Sequence, residues 1–436
     1  MRIHPVNEVP LGRKAFTYEN STNCWYCMTK VSELLQGKQQ IASENYVKPW
    51  FFENGTYPKS TALHKALKSE GAFLSSSALF PFQDSSSDRI INQLMYVPPD
   101  YEVIKGSGKL KTILLATSFN SLQVEDSGRE VFLRSQCPVD TCTVTFLENY
   151  TEVADMILCE GYVPSTFSRP FNSRQVIMIY LLESASTISF EEAMSVNWTA
   201  TYRRDSDIVT PYGKWQYYDD RVKQIQQDRN YASNKTKTVA WVVSNCLANN
   251  NRREYAEALG EHIEVDIYGS CGPYECPQET ADACFEMLER DYKFYLAFEN
   301  RNCKDYVTEK FFANALNHNI LPIVMGASPE DYAVIAPFNS YIHVDQFASP
   351  EELANYLHIL DKNDSLYNTY FNWQGTGEFI NTYFWCRVCA LLHDEDSLRN
   401  PRWYIDLTDW WNGADLISSE LIEIAGRHNL QDGGCM

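Results

Sequence analysis

The sequence predicts an α/β protein of two Rossmann-like lobes in series, each a parallel sheet covered by helices, with a cleft between them. Three observations lead there. Short β-branched or apolar runs alternate with amphipathic, helix-like stretches, and that alternation builds parallel sheets. It is interrupted at 214–237 (KWQYYDDRVKQIQQDRNYASNKTK), where apolar density falls as it does in a linker. The chain of 436 residues also exceeds the roughly 250–300 at which single cores stop growing.

In chain order, residues 1–85 are Ser-rich, polar and weakly periodic, the pattern of a stem-like extension. The first lobe spans 86–215, where KTILLATS (111–118), CTVTFLEN (142–149) and RQVIMIYLLES (174–184) are apolar runs bounded by polar turns and read as buried strands. A linker over 216–237 leads to the second lobe, 238–372. Its strands are TVAWVVSN (238–245), HIEVDIYG (262–269), YKFYLAFEN (292–300), ILPIVMG (320–326) and SYIHVDQF (340–347). Its helices are NRREYAEALGEH (251–262), YVTEKFFANALNH (306–318) and SPEELANYLHIL (349–360), the last opening on a Ser349-x-x-Glu352 capping box. A tail over 373–436 carries a C-x-x-C and many aromatics, which can fill a core or offer stacking faces to sugars.

A net charge of −20 excludes general affinity for nucleic acid or anionic lipid, so any bound anion must meet a local basic pocket. Thirteen cysteines admit two readings. The pairs Cys24/Cys27 and Cys386/Cys389 could form a four-thiolate zinc site, but they are too far apart for a compact ribbon or finger. Six N-x-S/T sequons, at Asn20, Asn54, Asn149, Asn197, Asn234 and Asn363, favour disulfides in an oxidising lumen instead. The odd count leaves a thiol unpaired, with Cys435 in the Gly-rich tail as the candidate. Against a lumenal setting, no apolar run approaches the roughly 20 residues that span a bilayer, and MRIHPVNEVPLGRK lacks the apolar centre of a signal peptide.

Ligands of parallel sheets sit outside the carboxyl ends of the strands, which directs attention to the turns after Leu182, Val243, Phe298 and Met325. The richest is FENRNCKDYVTEKFFANAL (298–316). A helix opening near Tyr306 would offer free N–H groups to an anion, with Lys310 a cation in its first turn and Glu309 an acceptor for sugar hydroxyls. Alone, Y-V-T-E-K also reads as a solvated amphipathic helix. Glu183 directly follows a long apolar run, and partial burial would raise its pKa towards that of a general base. Asp205-Ser206-Asp207 could hold a divalent ion against a diphosphate, or its acids could pair with Arg203 and Arg204.

The 298–316 segment, continuing through LPIVMG and SYIHVDQF, resembles the donor-binding signature of the α-1,3-fucosyltransferases. WVVSN (241–245), Arg252, VDIYG (265–269) and TYRRDSDIVTPYG (201–213) fall in that family's order, over about residues 88–412. The resemblance implies a GT-B-like fold and inverting transfer of fucose from GDP-fucose to the 3-hydroxyl of an N-acetylglucosamine. By position, Arg252 and Lys310 neutralise the pyrophosphate, helped by Tyr306, while Asn245, Tyr295, Asn300 and Glu309 hold ribose, fucose or phosphate oxygens. Glu183 becomes the base, in a turn with Ala185 where many members carry proline. The resemblance further implies disulfides from Cys386 and Cys389 to cysteines near the amino end of the catalytic lobe, a membrane anchor, and residence in the Golgi lumen. It implies no obligatory cofactor, a divalent cation such as manganese being at most stimulatory.

The closest likeness is to invertebrate core enzymes, which act on the innermost GlcNAc of N-glycans on glycoproteins. Three alternatives stay open: a Lewis-type enzyme acting on outer lactosamine, a catalytically silent glycan-binding relative, and a metal-dependent transferase using Asp205 and Asp207.

Overall fold

Strands that are apolar on both faces must be covered on both faces, and two parallel sheets result. The computed structural model describes residues 48–55, 79–81, 88–117, 127–167, 170–184, 196–277, 280–399, 403–404 and 407–412. The first sheet contains β1 (Lys111–Leu115), β2 (Cys142–Thr145), β3 (Met156–Glu160), β4 (Val176–Leu181), β5 (Trp198–Thr201) and β6 (Ile208–Val209). Their order is β2-β1-β3-β4-β5-β6, with every neighbouring pair parallel. Alternation along each strand divides the core: Met156, Leu158 and Met178 face one side, Ile157, Ile177 and Ile179 the other.

After β7 (Trp215–Tyr217) the chain builds β8 (Lys237–Val242), β9 (Val265–Tyr268), β10 (Tyr292–Phe298), β11 (Leu321–Met325) and β12 (Ile342–His343). This second sheet runs β12-β11-β10-β8-β9 and is also parallel throughout. Finally β13 (Gly377–Phe379) returns to pair antiparallel with β7. In both sheets the strand order reverses beside the first strand, between β1 and β3 and between β8 and β10. Such a reversal sends the two flanking connections to opposite faces and leaves a crevice outside the carboxyl ends.

Several boundaries differ from the sequence reading. The stem-like extension is not loose where it is described: Trp50, Phe51, Phe52, Leu79 and Phe80 are buried in the core of the first lobe. An aromatic cluster without period carries its burial in ring area, which periodicity does not register. Within the linker, Tyr231 and Ala232 belong to the second lobe's core, Tyr231 stacking on Phe371 at 4.3 Å. The tail is not separate either, because its helix Phe384–Leu391 lies in the first lobe's core. Cys386 is bonded to Cys137 and Cys389 to Cys142, so both tail cysteines are tied to the first lobe, at or just before its second strand and not at its amino end, and neither thiol is left for zinc.

The helix expected over 306–318 is a single turn, Glu309–Phe312, followed by a 3-10 turn at Leu316–His318. By contrast Pro350–Asp361 forms as expected, Ser349 Oγ accepting from the Glu352 N–H at 3.2 Å. Glu352 reaches back to the Ala348 N–H rather than to that of Ser349.

Two further disulfides join Cys246 to Cys271 and Cys276 to Cys284. Cys159 is the free thiol among the described residues, and burial pushes its pKa up to about 12. Cys24, Cys27, Cys435, Ala185 and Asn20 lie outside the described residues. Asn54, Asn149, Asn234 and Asn363 are exposed. Asn197 is not a glycan site on the folded chain: it is 1% exposed, and its Oδ1 accepts from the Ile177 N–H at 2.7 Å. No helix of the described residues is long and apolar enough to cross a membrane.

Candidate active site

The second sheet's switch point, between β8 and β10, is lined by groups that converge on one buried carboxylate. β10 is followed directly by Glu299, which is fully buried and whose N–H bonds the Met325 carbonyl at 2.8 Å. Thr308 donates to its two carboxylate oxygens from the backbone N–H at 2.8 Å and from Oγ1 at 2.9 Å. Lys310 Nζ stands 3.2 Å from Glu299 Oε2 and 2.9 Å from Glu309 Oε1. Gly326 has φ +148°, and a Cβ there would come within 2.8 Å of Glu299 Cβ and Cγ, so only glycine lets β11 pass this side chain.

Thr308 explains the short helix. Its hydroxyl is spent on Glu299 instead of capping Glu309–Phe312, whose N-terminus has no side-chain cap. The anion-binding helix end expected at Tyr306 is therefore a loop held by a carboxylate, and its cation is Lys310. Burial acts to lower the Lys310 pKa, but Glu299 and Glu309 hold it above the ordinary lysine value, so the side chain is a cation. Burial raises the Glu299 pKa, against Lys310 and the Thr308 hydrogen bonds.

Arg252 opens the helix Arg252–Gly260 that follows β8, and it is buried. Its Nη1 donates to the Phe298 carbonyl at 2.8 Å and its Nη2 to the Asn245 carbonyl at 2.9 Å, tying together the ends of the two switch-point strands. Burial lowers its pKa, while Glu299 supports the charge. Asn250 donates to the Glu299 carbonyl at 2.9 Å. Arg252 Nε, Asn250 Oδ1 and Asn300 Oδ1 are buried and find no hydrogen-bond partner among the described residues. Unpaired polar atoms of this kind each cost about 1–3 kcal/mol. Their clustering at one switch point marks where a polar ligand would supply the missing bonds.

Of the eight residues expected to act, six line this region. Asn245 is exposed after β8, pinned by the neighbouring Cys246–Cys271 bond, and Asn300, Glu309, Lys310 and Arg252 surround the end of β10. Tyr306 is buried at the lobe junction, its ring 4.9 Å from that of Tyr202. Tyr295 lies deeper: it is 1% exposed in the core beside Phe285, on the face of β10 that it shares with Ala297, and burial first, then Glu309 and Glu299, raise the pKa of its hydroxyl while Arg252 opposes them. Glu299 and Thr308, which organise this cluster, were given no role in the sequence reading; a Glu and a Thr nine positions apart across a loop give no periodic signal.

Glu183 follows β4 by two residues and is exposed, not partly buried as expected, because it stands at the open rim beyond Leu182. Its charge nevertheless reaches the second lobe. Burial first, and then Glu299 and Glu183 among its neighbours, raise the pKa of the Tyr306 hydroxyl; Glu183 and Glu309 act in the same way on Tyr212. Tyr212 also donates to the Leu182 carbonyl at 2.9 Å, next to Glu183. The carboxyl ends of the two sheets thus meet, and acids of both lobes bear on the same hydroxyls.

Asp205 and Asp207 do not form a metal pair. Asp207 is buried at the sheet edge, its Oδ2 accepting from Thr199 N–H at 2.8 Å and Tyr404 OH at 2.8 Å. Asp205 forms a two-bond pair with Arg203, at 2.9 and 2.6 Å. Among the described residues, the one group that could by proximity bind a metal is Cys142, Cys389 and His393, and its thiols are already joined.

Two doubly wound lobes meeting through the carboxyl ends of their sheets are the GT-B-like arrangement of a glycosyltransferase. The chain belongs to glycosyltransferase family 10: residues 232–410 match the family's fucosyltransferase C-terminal model and residues 108–213 the fucosyltransferase N-terminal model. It is 60% identical over 375 residues to glycoprotein 3-alpha-L-fucosyltransferase A of Drosophila melanogaster, covering 85% of this chain and 74% of that protein. Alpha-(1,3)-fucosyltransferase fut-6 of Caenorhabditis elegans is 31% identical over 79% of this chain and 90% of its own. A crystal structure of an alpha1,3-fucosyltransferase aligns with TM-score 0.46 and 18% identity, over 67% of this chain and 93% of that one.

Proposed function

We propose that the chain is a glycoprotein α-1,3-fucosyltransferase that moves fucose, with inversion, from GDP-fucose to the 3-hydroxyl of the innermost GlcNAc of N-glycans. The observation that carries the reading is the contact between the lobes: the Tyr306 ring of the donor loop packs at 4.9 Å on Tyr202, while Tyr212 of the same first-lobe stretch donates to the Leu182 carbonyl beside Glu183 at 2.9 Å. In this reading 238–372 is the donor lobe and 86–215 the acceptor side. The core acceptor is favoured by the high identity to a relative named for action on glycoproteins. The chain works in the secretory pathway, which its disulfides and exposed sequons suit.

In the reaction, Glu183 takes the proton from the acceptor 3-hydroxyl as its oxygen attacks the anomeric carbon. The bond from that carbon to the β-phosphate oxygen breaks, and its electron pair leaves with GDP. Lys310 and Arg252 stabilise the charge that develops on the diphosphate, and the buried acceptors Asn250 Oδ1 and Asn300 Oδ1 bind donor hydroxyls. Two cations can supply the charge a metal supplies in other transferases, so the reading requires no ion.

The test is incubation of the chain with GDP-fucose and either a core-exposed N-glycopeptide or a lactosamine, followed by mass measurement. Addition of one deoxyhexose to the glycopeptide alone is expected. Addition to lactosamine alone would replace the core reading with the Lewis-type one, and no addition to either would overturn transfer.

A further inference from the structure

The segment Tyr202-Arg203-Arg204-Asp205, which runs into the Asp205-Ser206-Asp207 triplet, lies against the donor loop. Three consecutive loop residues are each met by one of its side chains. The Tyr306 ring packs on Tyr202 at 4.9 Å, Asp305 is held by Arg204, and Lys304 Nζ lies 3.6 Å from Asp205 Oδ2.

The middle contact is the most fully made. Asp305 is 1% exposed and adopts a left-handed backbone with φ 59°, a conformation a non-glycine residue keeps only when its surroundings hold it. Its carboxylate accepts from the Arg204 N–H at 2.9 Å and from Arg204 Nε at 2.5 Å. Arg204 Nη2 donates to Asp331 at 2.7 Å, and the other oxygen of Asp331 accepts from the Asp305 N–H at 3.1 Å. A single guanidinium from the first lobe therefore fixes both the donor loop and the helix Pro329–Ile335 behind it. The same stretch of the first lobe continues to Tyr212, whose hydroxyl holds the Leu182 carbonyl beside Glu183.

We propose that Arg204, supported by Tyr202 and Asp205, is a positioning residue that sets the spacing and angle at which Glu183 faces the donor held by Tyr306 and Lys310. The proposal rests on the transfer reading above. A planar fork with fixed donors can impose an angle between two carboxylates, whereas an ammonium can only neutralise them. Displacements of about 1 Å between reacting groups cost on the order of 100-fold in rate, so the lock acts on the chemical step and not on acceptor capture. It also keeps the lobes together while the activated donor is bound, which excludes water.

Wild type, Arg204→Lys and Arg204→Ala are compared in three readouts: kcat for transfer at saturating donor, KM for the glycopeptide, and the fraction of consumed GDP-fucose that ends as free fucose. The expected result is a kcat loss of about 10-fold for Arg204→Lys and about 100-fold for Arg204→Ala. Acceptor KM should stay within about two-fold and the hydrolysed fraction should rise in both variants. If Arg204→Ala does not fold, Arg204→Lys, which keeps the charge between the two buried carboxylates, carries the test. A folded variant with wild-type kcat and wild-type hydrolysed fraction overturns the proposal, even where its melting temperature falls, since the contact would then be structural only. A wild type that forms no fucosylated product refutes the transfer reading instead.

Discussion

Glu299→Gln perturbs the proposed donor site without changing its volume. The glutamine oxygen can still accept from Thr308, but the ion pair with Lys310 at 3.2 Å is lost at a site where the carboxylate is fully buried. Breaking a buried pair costs about 3–5 kcal/mol. The lower figure applies here, because Lys310 is partly exposed and keeps Glu309 at 2.9 Å. A loss of about 3 kcal/mol corresponds to roughly 6–12 °C in Tm for a lobe of 150–250 residues. Thermal unfolding followed by fluorescence measures it, and calorimetric titration with GDP should show weaker binding by about 10-fold or more as Lys310 loses its anchor.

The penalty also has a pH signature. Burial raises the Glu299 pKa, so the folded state holds that proton more tightly than the unfolded chain. The stability this group contributes is therefore greatest in acid and declines as pH rises through the folded value. Glutamine does not titrate, so the variant's Tm should depend less on pH than that of the wild type. An unchanged Tm together with unchanged GDP affinity would refute the idea that Glu299 organises the cation.

Other outcomes follow from the same geometry. The Asp305 carboxyl is pushed up to about 6 by burial and by Asp331, against the pull of Arg204. Its contribution to stability falls as pH rises from about 4 to 6, by up to about 3 kcal/mol, so the Tm deficit of Asp305→Asn should narrow between pH 5 and pH 7. Cys386→Ser opens a disulfide with a sequence separation of 249 and should lower stability by about 3–5 kcal/mol, read as an earlier unfolding transition. In peptide mapping of secreted protein, Asn197 should carry no glycan, and Asn197→Gln should cost stability by removing the buried bond to Ile177.

How far the sequence could be read depended on what kind of signal each part carried. The strands of the second lobe are long apolar runs, and their positions emerged within a few residues: YKFYLAFEN contains β10 and ILPIVMG contains β11. In the first lobe, β3 (MILCE) went unnoticed because its five residues include a cysteine and a closing glutamate, and β6 is only two residues long. The helix near Tyr306 was misjudged because propensity favours helix through EKFFANAL, while the structure commits Thr308 to Glu299 and stops the helix after one turn.

Of the charged residues, Glu183 was legible as an acid closing an apolar strand and Lys310 as a cation at a helix start, while Arg252 was read from the family resemblance. The residues that arrange them were not legible. Glu299 and Asp305 act through partners supplied by the fold, and Arg204 meets Asp305 from a position 101 residues away in the chain.

In the proposed reaction a carboxylate on the first lobe works across the cleft from a diphosphate cradle on the second. The most direct test is Glu183→Gln, assayed side by side for fucosyl transfer to a core glycopeptide and for GDP affinity by calorimetry. The account predicts a transfer rate lower by about 100-fold to 10,000-fold with a GDP Kd within about three-fold of wild type. A Gln variant that transfers fucose at the wild-type rate, or one that loses GDP binding along with transfer, would contradict it.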